Sequence, residues 1–311
     1  MQQFNNILFL SQGVMDNRES LAQSIRLAWR NKAKLKGLVV CPHLPNDMND
    51  YEDQYETWLM ESMQSLVQES LVEQDMSRED LQFPVELIVA DKPTVQAIRY
   101  VQDHGIDLVI KDAEPNQSRS RGLRAIDMSL LRKCPCPVWL NRPSEKPRSK
   151  QRVAVAVNPN ATTDEEKTLS IQLLQLGRSI ADSCDSRLHI ISCWEYVLEH
   201  YLDDHIWIKV SQDELQQQIE LAKQQHYEAL QTLIEASDIG GDLVMHRLHG
   251  TPDAEIPQCV EKTDIDVLVM GTLARTGIPG VVIGNTAENI VQSVNCSLVA
   301  LKSKQFRSPI K

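Results

Sequence analysis

A glycine-spaced run near the carboxyl terminus, GTLARTGIPGVVIGNTAENI from Gly271 to Ile290, holds the residues best suited to chemistry. Glycines stand at 271, 277, 280 and 284, and Asn285 and Thr286 then open a helical pattern. Glycine permits positive φ and lets backbone N–H groups approach an anion closely. The first turn of the following helix adds N–H donors at the positive end of its dipole. That combination suits phosphate. It is not a Walker loop, because no Gly-Lys-Ser/Thr follows, nor the dinucleotide fingerprint, which belongs in the first βα turn.

Other constellations read as structure. His246 and His249 (VMHRLHG) would need Asp242 or Glu255 to converge with them before they held a metal, and two histidines at a strand end read as polar rim groups. His200, Asp203, Asp204 and His205 resemble a ligand cluster, but Tyr201, Leu202, Ile206 and Trp207 make the same stretch a short amphipathic helix. It would lie beside the cleft as a lid. Asp164, Glu165 and Glu166 follow Thr162 and Thr163 as the capped first turn of a helix, not as paired catalytic carboxylates. Trp58 and Trp194 are expected in the core or the cleft wall. Seven cysteines, an odd and scattered set, do not form a secreted disulfide framework. Cys134 and Cys136 lack the two-residue spacing of a zinc or redox pair and read as small buried hydrophobes. With no Gly-x-Ser-x-Gly and no Ser-Gly-Gly-x-Asp-Ser loop, no catalytic residue and no metal site is assigned.

The elements that position these residues come twice. VADKPTVQAIRYVQDHGIDLVIKDA (Val89 to Ala113) parallels RLHGTPDAEIPQCVEKTDIDVLVMGTL (Arg247 to Leu273), so that Pro93 falls on Pro252, Val101 on Val260 and Asp107 on Asp266 at a constant offset of 159. CPVWL at Cys136 and CSLVAL at Cys296 continue the match, as do ILFLSQ at Ile7 and VAVAVN at Val153. The polar join NRPSEKPRSKQ reads as a linker between domains at 1–144 and 151–305. Each half alternates short apolar runs with helical periodicity, which implies a doubly wound α/β unit around a parallel sheet buried on both faces. Ligands then bind outside the carboxyl ends of the strands, just after Val157, Cys193 and Met270.

Composition sets the outer limits. The 311 residues carry 32 Lys+Arg against 43 Asp+Glu, a formal charge of −11, which disfavours nucleic acid and anionic lipid as partners. No apolar run approaches a membrane span, and the first residues have no basic leader pattern, so a cytoplasmic protein is expected.

The second-half loop, VAVN (Val155 to Asn158) and LLRKCPCPVW (Leu130 to Trp139) together resemble the universal stress protein family, in two tandem copies over nearly the whole chain. The resemblance implies two five-stranded sheets of order 3-2-1-4-5, of the adenine-nucleotide alpha-hydrolase-like (HUP) type, packed as an intrachain pseudo-dimer through 138–140 and 298–301. Further homo-oligomers are left open. It also implies a role in stress resistance and a nucleotide site in the second half comprising Asn158, Cys193, Met270, Gly271, Thr272, Arg275, Gly277, Gly284, Asn285 and Thr286. ATP is the implied ligand, with Mg2+ only if ATP binds. The match is incomplete: Ala274 stands at the second glycine position, Asn285 at the closing Ser/Thr, and Asn158 and Gln12 where an Asp would end the first strand. In the first half the loop keeps Gly122 alone and is basic, with Arg119, Arg121, Arg124, Arg132 and Lys133, either an anion patch or a degenerate loop on a solvated helix face. The expectation is a stress-response binding module that is non-enzymatic or only feebly catalytic. The alternatives are a slow ATPase or nucleotidyl-transfer enzyme using 271–286, and a binder of a non-nucleotide ligand under the 200–207 segment.

Overall fold

Apolar residues run almost unbroken along β1 (Asn6–Ser11), β4 (Leu108–Asp112), β6 (Val153–Ala156) and β9 (Val267–Gly271). Strands of that kind leave no face for water and belong inside a sheet covered on both sides. The computed structural model describes residues 4–13, 18–77, 79–113, 123, 125–144, 146–196, 211–272 and 283–311, and it buries nearly every residue of these four strands. The other elements are α1 (Arg18–Asn31), β2 (Lys34–Cys41), α2 (Glu52–Glu73), β3 (Val85–Val89), α3 (Pro93–Asp103), α4 (Ala125–Lys133), β5 (Val138–Asn141), α5 (Asp164–Ser183), β7 (Leu188–Trp194), α6 (Gln212–Ser237), β8 (Leu243–His249), α7 (Pro252–Lys262), α8 (Asn285–Ser293) and β10 (Ser297–Leu301). Among the described residues no helix is long and apolar enough to cross a membrane.

Two compact units result. The first takes residues 3–145 with 297–311, the second 146–273 with 284–296. In the first, β3-β2-β1-β4-β5 run parallel in the order 3-2-1-4-5, with Ile7 between Leu35 and Leu108. In the second, β8-β7-β6-β9 repeat the order 3-2-1-4, with Val155 between Ile190 and Val269. β10, the fifth strand of the second copy by sequence, belongs to the first unit, where it lies antiparallel to β5 with Val299 opposite Trp139. The edge strand β8 alternates in burial and extends to His249, so His246 lies inside a strand and not at its end. Trp58, expected in the core, is 56% exposed, because it lies on the solvent face of α2.

The repeat extends to single hydrogen bonds. The Asp107 carboxylate accepts from Asn5 N at 2.7 Å and Asn6 N at 3.0 Å, and that of Asp266 from Arg152 N at 2.8 Å, so each closes the start of its first strand. At the ends of α3 and α7, Ile106 N and Ile265 N donate to the Val101 and Val260 carbonyls, both at 3.0 Å. The turn residues between them, Gly105 and Asp264, have φ of 59° and 54°. This is the left-handed helix stop, kept although only one copy uses glycine.

The copies differ at their strand ends. In the first unit Lys111 Nζ sits 3.0 Å from Asp127 Oδ1, with both side chains almost fully buried. Next to them Ser20 Oγ donates to the Asp112 carboxylate, Asn141 Nδ2 to Ser20 Oγ at 2.6 Å, and Ser297 Oγ to Asn141 Oδ1 at 3.3 Å. By the repeat, Lys111 matches Met270 and Asp127 matches Ala287. In the second unit the rings of His189 and His246 stack, with Nδ1 and Nε2 2.9 Å apart. Burial, then His246, Arg152 and Arg187, push His189 down to about 4. Burial lowers His246, and burial with Arg247 lowers His226.

Two outcomes follow. Asp127→Ala leaves a buried ammonium without its partner and should lower the unfolding free energy by about 3–5 kcal/mol. Adding Lys111→Met, which reproduces the second copy's Met270 and Ala287, should restore most of it in urea unfolding. The three histidines bind protons more readily in the unfolded chain than in the folded one, so their stabilisation is complete above the ordinary histidine value and is lost as pH falls below it. The urea midpoint should therefore begin to fall near pH 6.5, the ordinary value of the three, and His189→Gln should flatten that slope between there and about 4.

Candidate functional site

In the second unit the chain leaves the sheet at three adjacent strand ends. Ala156 pairs with both Ile191 and Met270, so Asn158, Cys193 with Trp194, and Met270 to Thr272 emerge side by side. Thr163 caps α5 by accepting from Glu166 N at 3.2 Å, and Glu166 accepts from Thr162 N at 2.8 Å. The acidic trio at 164–166 thus serves the helix, as its position implied. α8 begins at Asn285 behind Gly284, which provides no side-chain cap, and Asn285 and Thr286 are exposed.

Individual roles look different in three dimensions. Gly271 faces α5: a Cβ there would stand 3.1 Å from Leu169 Cδ2 and 3.4 Å from Leu173 Cδ1. Its smallness serves close packing of helix on strand. Asn158 Oδ1 already accepts from Asn160 N at 3.1 Å, which turns the chain after β6. Met270 and Thr272 are buried. Cys193 is half-buried, and burial, reinforced by Glu255, Cys259, Glu195 and Asp253, pushes its thiol up to about 12, so it carries no thiolate at neutral pH. Arg275, Gly277, Ala274 and Gly280 lie outside the described residues, as do His200 to Trp207 and the arginines at 119, 121 and 124.

The carboxylates near Cys193 were not prominent in sequence, because Asp253 and Glu255 read as the acidic first turn of a proline-opened helix. Asp253 accepts from Asn289 Nδ2 at 3.1 Å, which ties α7 to α8. Asn289 and then Thr251 hold the Asp253 carboxyl below the usual range. One acidic side chain is therefore shared between the end of β7 and the first turns of α8. Trp194 stacks on His249 with ring centroids 4.3 Å apart. Gly250 follows at φ 132°, a conformation that requires glycine, and its N–H donates to the Trp194 carbonyl at 2.9 Å. Ser192 Oγ and His226 Nε2 lie 2.8 Å apart, but both residues are buried, so the pair ties α6 to the sheet where no substrate reaches. Among the described residues no group of three or more His, Cys, Asp or Glu side chains converges as a metal site.

The matching place in the first unit is filled by protein. Gly13, at φ 76°, has Leu59 of α2 directly on it: a Cβ would fall 2.3 Å from Leu59 Cδ2. The Lys111–Asp127 pair occupies the end of β4 and the first turn of α4. Leu59 thus covers the chain just after β1, and the ion pair takes the places that Met270 and Ala287 hold in the second copy.

Known proteins share this arrangement. The sequence profile described as the universal stress protein family matches residues 152–302. Two relatives named universal stress protein E, from Escherichia coli strain K12 and Photorhabdus laumondii, are 24% and 23% identical; each alignment covers 100% of this chain, and 98% and 99% of theirs. A protein described as a universal stress protein from Pseudomonas aeruginosa superposes at a TM-score of 0.72 and 23% identity, covering 97% of this chain and 94% of that one. One from Archaeoglobus fulgidus superposes at 0.62 and 15%, covering 97% and 99%. These two structures share the fold, and the sequence relatives share the tandem organisation along their full length. The chain belongs to the universal stress protein family, as a tandem member that carries two copies of the family's α/β unit.

Proposed function

We propose that the second copy binds a nucleotide-type anion of the ATP class, at the ends of β6, β7 and β9 and the opening of α8, and that the chain acts through this binding as a cytoplasmic stress-response protein. The contrast between copies carries the reading. Asp127 brings a carboxylate into the first turn of α4, whereas Ala287 stands at that place in α8 behind an uncapped Gly284. Helix N–H donors and the positive dipole end at Asn285 and Thr286 favour an anion there. Asp253 adds negative charge through its bond to Asn289, which favours a phosphate that arrives with Mg2+ over a bare one. Family membership supports the stress role, and the scattered cysteines support a reducing compartment.

One observation favours a second reading. With Gly271 engaged in packing and Asn158 in its own turn, the Trp194–His249 stack offers an aromatic surface beside the strand ends. A planar non-nucleotide ligand would lie against it.

Calorimetry on the full chain with ATP and Mg2+ separates the two. Under the first reading heat is released, binding weakens when Mg2+ is withheld, and Gly284→Asp weakens it more than tenfold, because a carboxylate then faces the phosphates. Equal affinity in the wild type and Gly284→Asp would remove the α8 opening from the site. No heat with ATP, together with ligand retained in native mass spectrometry and lost in Trp194→Ala, would transfer the site to the aromatic stack. Phosphate release measured in the same titration reports any hydrolysis.

A further inference from the structure

The first unit holds a pair of thiols that the function above does not use. Cys134 and Cys136 flank Pro135 between α4 and β5, and their sulfurs are 3.6 Å apart. Cys134 is fully buried and Cys136 is 7% exposed. Lys302, which follows β10, donates from Nζ to the Cys134 carbonyl at 2.7 Å and lies 4.9 Å from the centre of the Phe306 ring. Its amine is thus fixed beside the pair, where burial lowers its pKa and the two thiols oppose that lowering. In the second copy Val294 takes the place of Cys134, so the pair exists once.

We propose that Cys134 and Cys136 form a reversible intrachain disulfide when the chain meets a hydroperoxide, making the turn between α4 and β5 a thiol switch. The geometry asks for little movement. The sulfurs must close from 3.6 Å to about 2.05 Å. Pro135 fixes φ at the one residue between them, so the turn that brings the sulfurs together loses little backbone freedom on crosslinking.

The chemistry distinguishes this pair from the other thiols. The sulfur–sulfur contact, in which either thiol can donate, and then the nearby Lys302 lower Cys134 against the opposing effect of its burial, while the same contact and burial hold Cys136 well above the ordinary thiol range. Burial pushes Cys41, Cys193 and Cys259 upward as well. Cys134 is therefore the attacking sulfur. Its thiolate bonds to one peroxide oxygen, the O–O bond breaks, and the other oxygen leaves with a proton as water or alcohol. The Cys136 sulfur then bonds to the Cys134 sulfenic sulfur, the S–O bond breaks, and that oxygen leaves as water carrying the Cys136 proton. Two thiols have lost two electrons, and the hydroperoxide has gained them. A small dithiol reverses the step by exchange.

The test treats the full reduced chain with hydrogen peroxide, denatures it, blocks remaining thiols with iodoacetamide and maps the digest by mass spectrometry. The peptide holding both residues should come out unalkylated and two hydrogens lighter, before Cys41, Cys193 or Cys259 changes, and dithiothreitol should reverse it. Cys136→Ser should stop at a Cys134 sulfenic acid that dimedone traps. Lys302→Met should slow the reaction severalfold, since losing that amine raises the Cys134 thiol and lowers its thiolate fraction, an effect partly offset by the greater nucleophilicity of the thiolate that remains. If the Cys136 variant fails to fold, the wild-type map decides alone. A 134–136 peptide that stays reduced while the other cysteines oxidise would overturn the proposal, as would one carrying sulfinic acid in place of the crosslink.

Discussion

Parallel strands covered on both faces meet polar chemistry only at their ends. β1, β4, β6 and β9 are buried almost throughout, so the central strands of neither copy have a face on which to place a site, while the outer strands β3 and β8 are partly exposed. Whatever the chain binds must use the loops beyond the carboxyl ends and the helices that start there. The same constraint makes those ends expensive to leave unfilled, because helix openings present N–H donors that need an acceptor. The two copies answer it differently, and most of their functional asymmetry follows.

In the first copy the answer is internal. A buried ion pair seldom stabilises more than apolar residues of similar volume, and the second copy shows an apolar solution in Met270 and Ala287. Lys111 and Asp127 are thus poorly explained as a stability device. They are better explained by position: the carboxylate enters the positive end of α4, the ammonium neutralises it from β4, and Leu59 closes the space above Gly13. In the second copy Met270 and Ala287 replace the ion pair, and α8 starts behind Gly284 with Asn285 and Thr286 exposed.

The architecture was legible because hydrophobic period and repeat register agree. The offset that sets Asp107 on Asp266 recovers strand starts, helix openings at Pro93 and Pro252, and both helix stops. The stops show where composition misleads: Lys32, Asp75, Asp185, Asp238 and Asp264 occupy left-handed positions where glycine would be the signal. The site was less legible. Gly271 reads as part of an anion loop but answers to Leu169 and Leu173, contacts from a helix a hundred residues earlier. Lys111 and Asp127 lie on different elements, and nothing in their spacing announces a pair. Cys134 and Cys136 were set aside because one residue between them is not a redox spacing; it took the bend at Pro135 to show the sulfurs in contact. Trp58 misled because an aromatic in a helical pattern is normally core, whereas this one faces solvent.

β10 links the two stories. Its pairing with β5 draws residues 297–311 into the first unit, and with them Ser297 and Lys302. Ser297 joins the polar network through Asn141, next to the Lys111–Asp127 pair. Lys302 reaches Cys134 at the carboxyl end of α4, where the helix dipole alone would disfavour a thiolate. The contact with Cys136 opposes this first, and Lys302, from the segment after β10 and more than 160 residues away in sequence, adds to it, so the setting of the thiol pair depends on where β10 pairs as well as on its own motif. A site created by strand pairing in this way cannot be copied by duplicating the local sequence. The second copy accordingly retains Cys296 with Val294 at the place of Cys134, and the first copy is the one that carries both sulfurs.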